Sequence, residues 1–124
     1  MPARQPDELH PLFLAGVNAH DVDALMELYE PDAVVMDVDG DALHGSDALR
    51  GFLTGFLSTV REFEGSSRKV LIAQDLALGS STWRAVLATP DGRTTSVEGT
   101  TAEIMRRQPD GTWRFLIDDP MFHG

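Results

Sequence analysis

Apolar residues recur at three- and four-residue spacing in the first half of the chain and give way to strand-like runs in the second. Leu9, Leu12, Phe13 and Val17 predict a helix over about 7–19, with Asp7 as its cap and Pro11 tolerable only near its start. A break at His20 leads into Asp21, an N-cap for a second helix that puts Ala24, Leu25, Leu28 and Tyr29 on one side and stops at Pro31. Residues 33–38 read as a strand too apolar on both faces to be exposed on either, turned by Asp39-Gly40. Ser46 caps a third helix, whose Leu49, Phe52, Leu53, Phe56, Leu57 and Val60 form a broad apolar stripe.

Beyond a polar loop at 64–67 the pattern is all strand: 69–73, a turn at Gln74-Asp75, 76–89, a turn at Pro90-Asp91-Gly92, and a hairpin over 94–119. The tripeptide Pro-Asp-Gly recurs at 109–111, where Pro suits the second position of a type I turn and Gly the left-handed position after it, so the last three long strands form a meander. Gly79 and Gly99 fall inside long strands, where glycine marks a bulge or sharp bend. Helices first and an antiparallel sheet after is the pattern of an α+β domain with its helices on one face of a curved sheet. The closed shape is a cone with an internal cavity.

Ionisable residues interrupt the apolar pattern of the last hairpin: Glu103 among Ala102, Ile104 and Met105, then Asp118 and Asp119 after Phe115-Leu116-Ile117. A carboxylate on the inner face of a sheet needs a partner, a proton or a task. An even turn register sets Glu103 diagonal to Asp118, whereas a bulge at Gly111 slips the ladder by one and groups Glu103 with Trp113, Ile117 and Asp119. The turn alone leaves both open.

Length and charge narrow the function classes. At 124 residues the chain is one domain with a sizeable core, and without cysteine it has neither a disulfide framework nor thiol chemistry. A formal charge of −10, from 20 acidic and 10 basic residues, repels nucleic acid and anionic membranes. No apolar run nears the roughly 20 residues of a spanning helix, and the expected location is cytoplasmic. Asp37-Val38-Asp39-Gly40-Asp41 alternates acids like a calcium loop, but the sixth position is Ala42 and the twelfth Ala48, so no metal is expected. There is no phosphate-binding glycine loop and no serine-nucleophile elbow, and no cofactor is expected.

The segments Asn18-Ala19-His20-Asp21-Val22-Asp23-Ala24-Leu25, Leu28-Tyr29-Glu30-Pro31-Asp32-Ala33-Val34, His44-Gly45 and Arg106-Arg107-Gln108-Pro109-Asp110-Gly111-Thr112-Trp113-Arg114 resemble the SnoaL-like and ketosteroid-isomerase-like members of the nuclear transport factor two superfamily. The resemblance covers nearly the whole chain. It implies a cystatin-like α+β barrel: a cone-shaped, curved antiparallel sheet packed against three N-terminal helices. That fold hosts isomerases, cyclases, hydrolases, dehydratases and non-catalytic modules, so function must be argued from the site. Ketosteroid isomerase works with an Asp base and an oxyanion hole of a Tyr and a protonated Asp. By the resemblance the base falls on Asp37, the protonated acid on Glu103 and the tyrosine on Phe13, which cannot donate a hydrogen bond.

Two functions are carried forward. The first is a cofactor-independent isomerase, cyclase or hydratase acting on a small, apolar, uncharged or cationic molecule, with Asp37 as base and Glu103 as acid. Phe13, His44, Phe56, Trp83, Trp113, Asp118 and Asp119 are candidates to line its pocket. The second is a non-catalytic dimeric ligand-binding or assembly module whose interior is filled by side chains such as Met36, Phe56, Met105 and Trp113. Cavity volume separates them. Either way the convex sheet face should mediate a homodimer, because its strands carry apolar residues on both sides.

Overall fold

In the computed structural model, which describes residues 2–122, the chain enters its first helix through one 3-10 turn, Pro6–Glu8. Glu8, rather than Asp7, organises this start: its carboxylate accepts the N–H groups of Arg4 and Gln5 at 2.6 and 3.1 Å. Helix α1 (Leu9–Asn18) buries Leu9 and Val17, and His20 takes a left-handed φ of 53° at the break. Asp21 caps α2 (Val22–Met26) through its side chain and the Ala24 N–H at 3.0 Å. Gly16 meets α2 so closely that a Cβ there would lie 2.6 Å from Leu25 Cδ2, which fixes the bend between the helices.

The second helix is shorter than its apolar spacing predicts. It ends at Met26, and Tyr29 opens strand β1 (Tyr29–Met36), with Pro31 inside the strand rather than at a helix end. Tertiary pairing overrides the helical pattern: the Leu28 carbonyl accepts the Phe115 N–H at 2.7 Å and hands the chain to the sheet. Strand β2 (Ala42–His44) returns along β1 and leads to α3 (Ser46–Thr59). Gly45, at φ 88°, holds the cap position expected of Ser46. Leu49, Leu53 and Leu57 bury the stripe of α3.

Residues 64–67, expected as a loop, are strand. Strand β3 (Val60–Ala73) leaves α3 without a connection and pairs along its length with β4 (Leu76–Ala88). Cross-strand pairing offsets the polar composition of Glu64-Gly65-Ser66-Ser67, which lies along the outer edge of the sheet. Strand β4 then bonds two partners in succession, β5 (Thr94–Thr100) along its second half and β6 (Ala102–Arg107) along its first. The predicted meander closes with β7 (Trp113–Asp119).

The sheet order is β2-β1-β7-β6-β4-β3, with β5 beside β4. It is the expected α+β cone, but mixed and open: β1 runs parallel to β7, the other pairs are antiparallel, and β2 and β3 are left as edges. Its inner face and the helices bury one core that includes Leu9, Leu25, Leu53, Val35, Met105 and Phe115. Among the described residues, no helix is long and apolar enough to cross a membrane.

Leu53 sits at the centre of the α3 stripe and is 1 % exposed. Leu53→Ala should lower the unfolding free energy by about 2–5 kcal/mol, read from the urea midpoint at unchanged slope.

Candidate functional site

Strand alternation brings a short series of residues to the inner face at the centre of the sheet. Rung by rung these are Ala77, Met105 and Phe115; then Gly79, Glu103 and Asp118; then Ser81 beside Thr101. Of the two registers the sequence leaves open, the bulged one starts the last hairpin, and the even one, which would pair Arg107 with Thr112, does not occur. Gly111, at φ 85°, slips the ladder so that Arg107 faces Trp113 and Met105 faces Phe115. An extra residue at Leu116 then slips it again, so that Glu103 stands directly opposite Asp118, and Asp119 opposes Ala102 on the other face.

Each carboxyl has one hydroxyl partner. Tyr29, 3 % exposed, donates its O–H to Asp118 Oδ2 at 2.7 Å. Thr101 donates to Glu103 Oε1 at 2.5 Å while its Oγ1 accepts the Ser81 N–H at 2.8 Å, which fixes the direction of the hydroxyl proton. Among the described residues no arginine bonds either carboxyl: Arg106 forks onto Glu30 (2.8 and 2.5 Å) and Arg84 makes one bond to Glu64 (3.0 Å). Burial is the main cause that raises the Asp118 pKa, to about 7, followed by the negative charge of Glu103; the Tyr29 hydrogen bond opposes it. Burial likewise pushes Glu103 upward against the Thr101 hydrogen bond. Tyr29 keeps its proton well above the ordinary phenol range, through burial and the Asp118 charge.

Beside Glu103 lies a cavity of about 10 Å³, lined by His10, Val70, Gly79, Ser81, Met105 and Phe115 among others. That is room for about one water molecule. Gly79 creates it: a Cβ there would lie 2.6 Å from Met105 Cε and 3.2 Å from Glu103 Oε2. His10 Nε2 is buried with no hydrogen-bond partner among the described residues, and burial lowers the imidazole pKa. A larger concavity of about 380 Å³ is an open groove along Glu64, Ser66, Thr82, Arg84 and Glu98, away from the carboxyl pair.

The other predicted site residues lie elsewhere. Asp37 sits beyond the end of β1, where its Oδ1 accepts the N–H groups of Asp39 and Asp41, each at 2.9 Å; it closes its own turn and is not brought to Glu103. His44 is exposed on β2 opposite Val34. Asp119 bonds the Met121 N–H at 3.0 Å. Trp113 is core, its N–H bonded to the Ala3 carbonyl at 2.9 Å. Phe13, Phe56 and Trp83 meet around Phe63, with ring centroids 6.0, 5.7 and 6.1 Å from it. Tyr29, Thr101, Ser81 and His10 were missed by sequence reasoning. Tyr29 was hidden by its helical spacing with Leu25 and Leu28, and the others carry no motif. Among the described residues, no group of three or more His, Asp or Glu is placed to hold a metal ion.

Comparison with known proteins agrees with this architecture. The sequence profile of the SnoaL-like domain matches residues 12–115. Among solved structures, a ketosteroid isomerase-like protein from Erwinia carotovora atroseptica superposes with a TM-score of 0.81 at 20% identity, over 90% of this chain and 88% of that one. A nuclear transport factor 2-like superfamily protein from Salmonella enterica gives 0.77 at 16% identity, over 95% and 90%. A cystatin-like protein from Caulobacter vibrioides gives 0.75 at 22%, over 94% and 86%. At these identities the likeness establishes the fold alone. No curated protein matches the chain.

The folded chain holds the Asp118 proton up to about 7, whereas an unfolded aspartate releases it near 4. The stabilising contribution of this group is therefore complete below about pH 4 and is lost as pH rises toward and through 7. Asp118→Asn should flatten that decline and raise stability at pH 8 relative to wild type, by on the order of a few kcal/mol, with little change near pH 4. Urea unfolding of both proteins at the two pH values checks this.

Proposed function

The chain belongs to the SnoaL-like domain family, and from that premise we propose that Glu103 and Asp118 form an acid–base site that moves a proton on a small, apolar, uncharged molecule held in the cone. The observation that carries this reading is their direct opposition on the inner face of β6 and β7, with burial raising both pKa values and no cation among the described residues paired to either. Two carboxyls this close share protons as a unit. With the Asp118 midpoint raised to about 7 and Glu103 pushed upward by burial, one member can serve as acid while the other serves as base.

One hydroxyl donor serves each carboxyl. Tyr29 stays protonated and keeps its donor on Asp118, steadying the aspartate as carboxylate, while Thr101, oriented by the Ser81 N–H, does the same for one oxygen of Glu103. The second oxygen, Glu103 Oε2, points to the bare backbone of Gly79, where no Cβ covers it. Such a pair can take a proton from one atom of a substrate and return one to another, the step shared by isomerisation, cyclisation and dehydration. No atom of a cofactor is needed for it.

A second reading has its own support. The cavity of about 10 Å³ admits no organic ligand as it stands, which favours a non-catalytic module with a filled interior unless the cone opens. Carbon-13 NMR titration of the carboxyl groups separates the two. The acid–base site requires an Asp118 midpoint near 7 that drops in Glu103→Gln, because removing the neighbouring charge relieves the repulsion. Midpoints near 4 for both carboxyls would sink it. Against a substrate that turns over, Asp118→Asn should cost about 10²–10⁴-fold in kcat.

We also propose a homodimer through the convex face. Leu71, Leu78, Ile104, Ile117 and Val34 fall on one cross-strand row over β3, β4, β6, β7 and β1. Leu71, Leu78 and Ile117 are 60, 48 and 45 % exposed, an apolar row that no helix covers. Light scattering at micromolar concentration should give twice the chain mass, and Leu78→Glu should return it to a monomer without unfolding it.

A further inference from the structure

Residues 120–122 follow β7 and fold onto β4 and β5. The Trp83 Nε1–H donates to the Pro120 carbonyl at 2.8 Å, and the Asp119 carboxylate turns the segment by accepting the Met121 N–H. Its seat is Gly99. This glycine faces Trp83 across β4 and β5 with no positive φ, so it is not needed for backbone conformation, and glycine weakens a strand. What it provides is room: a Cβ would lie 2.7 Å from Met121 Sδ, 2.8 Å from the Pro120 oxygen and 2.8 Å from Trp83 Nε1.

The segment packs against Trp83, one ring of an aromatic cluster that continues through Phe63 to Phe13 and Phe56. Trp83, Ser81 and Gly79 follow one another on the same face of β4, so this surface continues along the sheet to Glu103 and Asp118. The segment is held lightly. Past Asp119, which ends β7 opposite Ala102, the segment has among the described residues one neutral hydrogen bond to another strand, from the indole, and Met121 and Phe122 are 39 and 64 % exposed.

We propose that residues 120–122 are a displaceable plug, and that Trp83 is the specificity-determining donor of the site: an apolar, flat molecule takes the plug's place by presenting an acceptor oxygen to the indole N–H in exchange for the Pro120 carbonyl. This rests on the acid–base reading, for which it supplies an entry route and a selection rule. A ligand without an acceptor would cover the half-buried indole N–H and leave it unpartnered, which a site built around a donor disfavours.

The test uses the full chain and two probes of nearly equal shape, 2-methoxynaphthalene, which has an acceptor oxygen, and 2-ethylnaphthalene, which has none. The readouts are the indole N–H resonance of Trp83, assigned with Trp83→Phe, and the methyl resonance of Met121. The methoxy compound should shift both and bind about tenfold more tightly than the ethyl compound. Met121→Ser, which thins the plug at a largely exposed position, should tighten binding of both several-fold, and Trp83→Phe should abolish the preference. Unchanged affinity in Met121→Ser, a preference that survives Trp83→Phe, or no binding of either probe to wild type and Met121→Ser would overturn the proposal. Carboxyl midpoints near 4 with the binding pattern intact would instead reject the acid–base reading and leave the plug standing.

Discussion

One extra residue on β7 decides which side chains this cone presents to itself. Without the bulge at Leu116, the register set by Gly111 would carry on and place Ile117 opposite Glu103 on the inner face. With it, Ile117 moves to the convex face, Asp118 turns inward, and Tyr29 on the neighbouring parallel strand finds its hydrogen-bond acceptor. The same slip keeps Asp119 off the inner face, so the interior holds two carboxyls instead of three. An apolar residue and an acid exchange faces through a backbone irregularity, and both the polar interior and the apolar exterior depend on it.

That dependence explains how far the chain could be read. The α+β order, the cap at Asp21, the break at His20 and both Pro-Asp-Gly turns are local features, set by side chains within a few residues of where they act, and they were legible. The boundaries that failed are those settled at a distance. Tyr29 has helical spacing with Leu25 but is drawn into the sheet by β7, some eighty residues later, and residues 64–67 have a loop's composition but become strand against β4. For the site, Glu103 and Asp118 stood out as acids in an apolar context, yet their pairing needed two irregularities of the hairpin: the one at Gly111, which the turn chemistry allowed without fixing, and the one at Leu116, which carries no local signal. Asp37 matched the position implied by the resemblance, and its neighbours Asp39 and Asp41 supply the amides that occupy it.

The electrostatics of the interior follow from what is missing there. Ten basic residues are available, and the two best placed along β6 and β4, Arg106 and Arg84, are spent on Glu30 and Glu64. The Arg106 fork, helped by Gln108, holds Glu30 below the usual carboxylate range, so this pairing sets apart one acid whose charged form is favoured from two whose pKa values burial raises. Hydroxyl donors are weaker partners than guanidinium groups, and they leave a carboxyl free to change its protonation. A core that needed only stability would pair these acids or replace them.

The route of the chain has a consequence for how it can be made. Ala3 bonds Trp113, Leu28 bonds Phe115 and β1 lies parallel to β7, so the first thirty-odd residues complete their hydrogen bonds only on the last strand. During synthesis, at about 5–20 residues per second, β1 waits with an open edge until residues 113–119 have left the ribosome. Long-range closure of this kind is slow. The α3–β3 unit and the β3–β4 hairpin are the parts able to form early, and the exposed edge of β1 is where a stalled or truncated chain would aggregate.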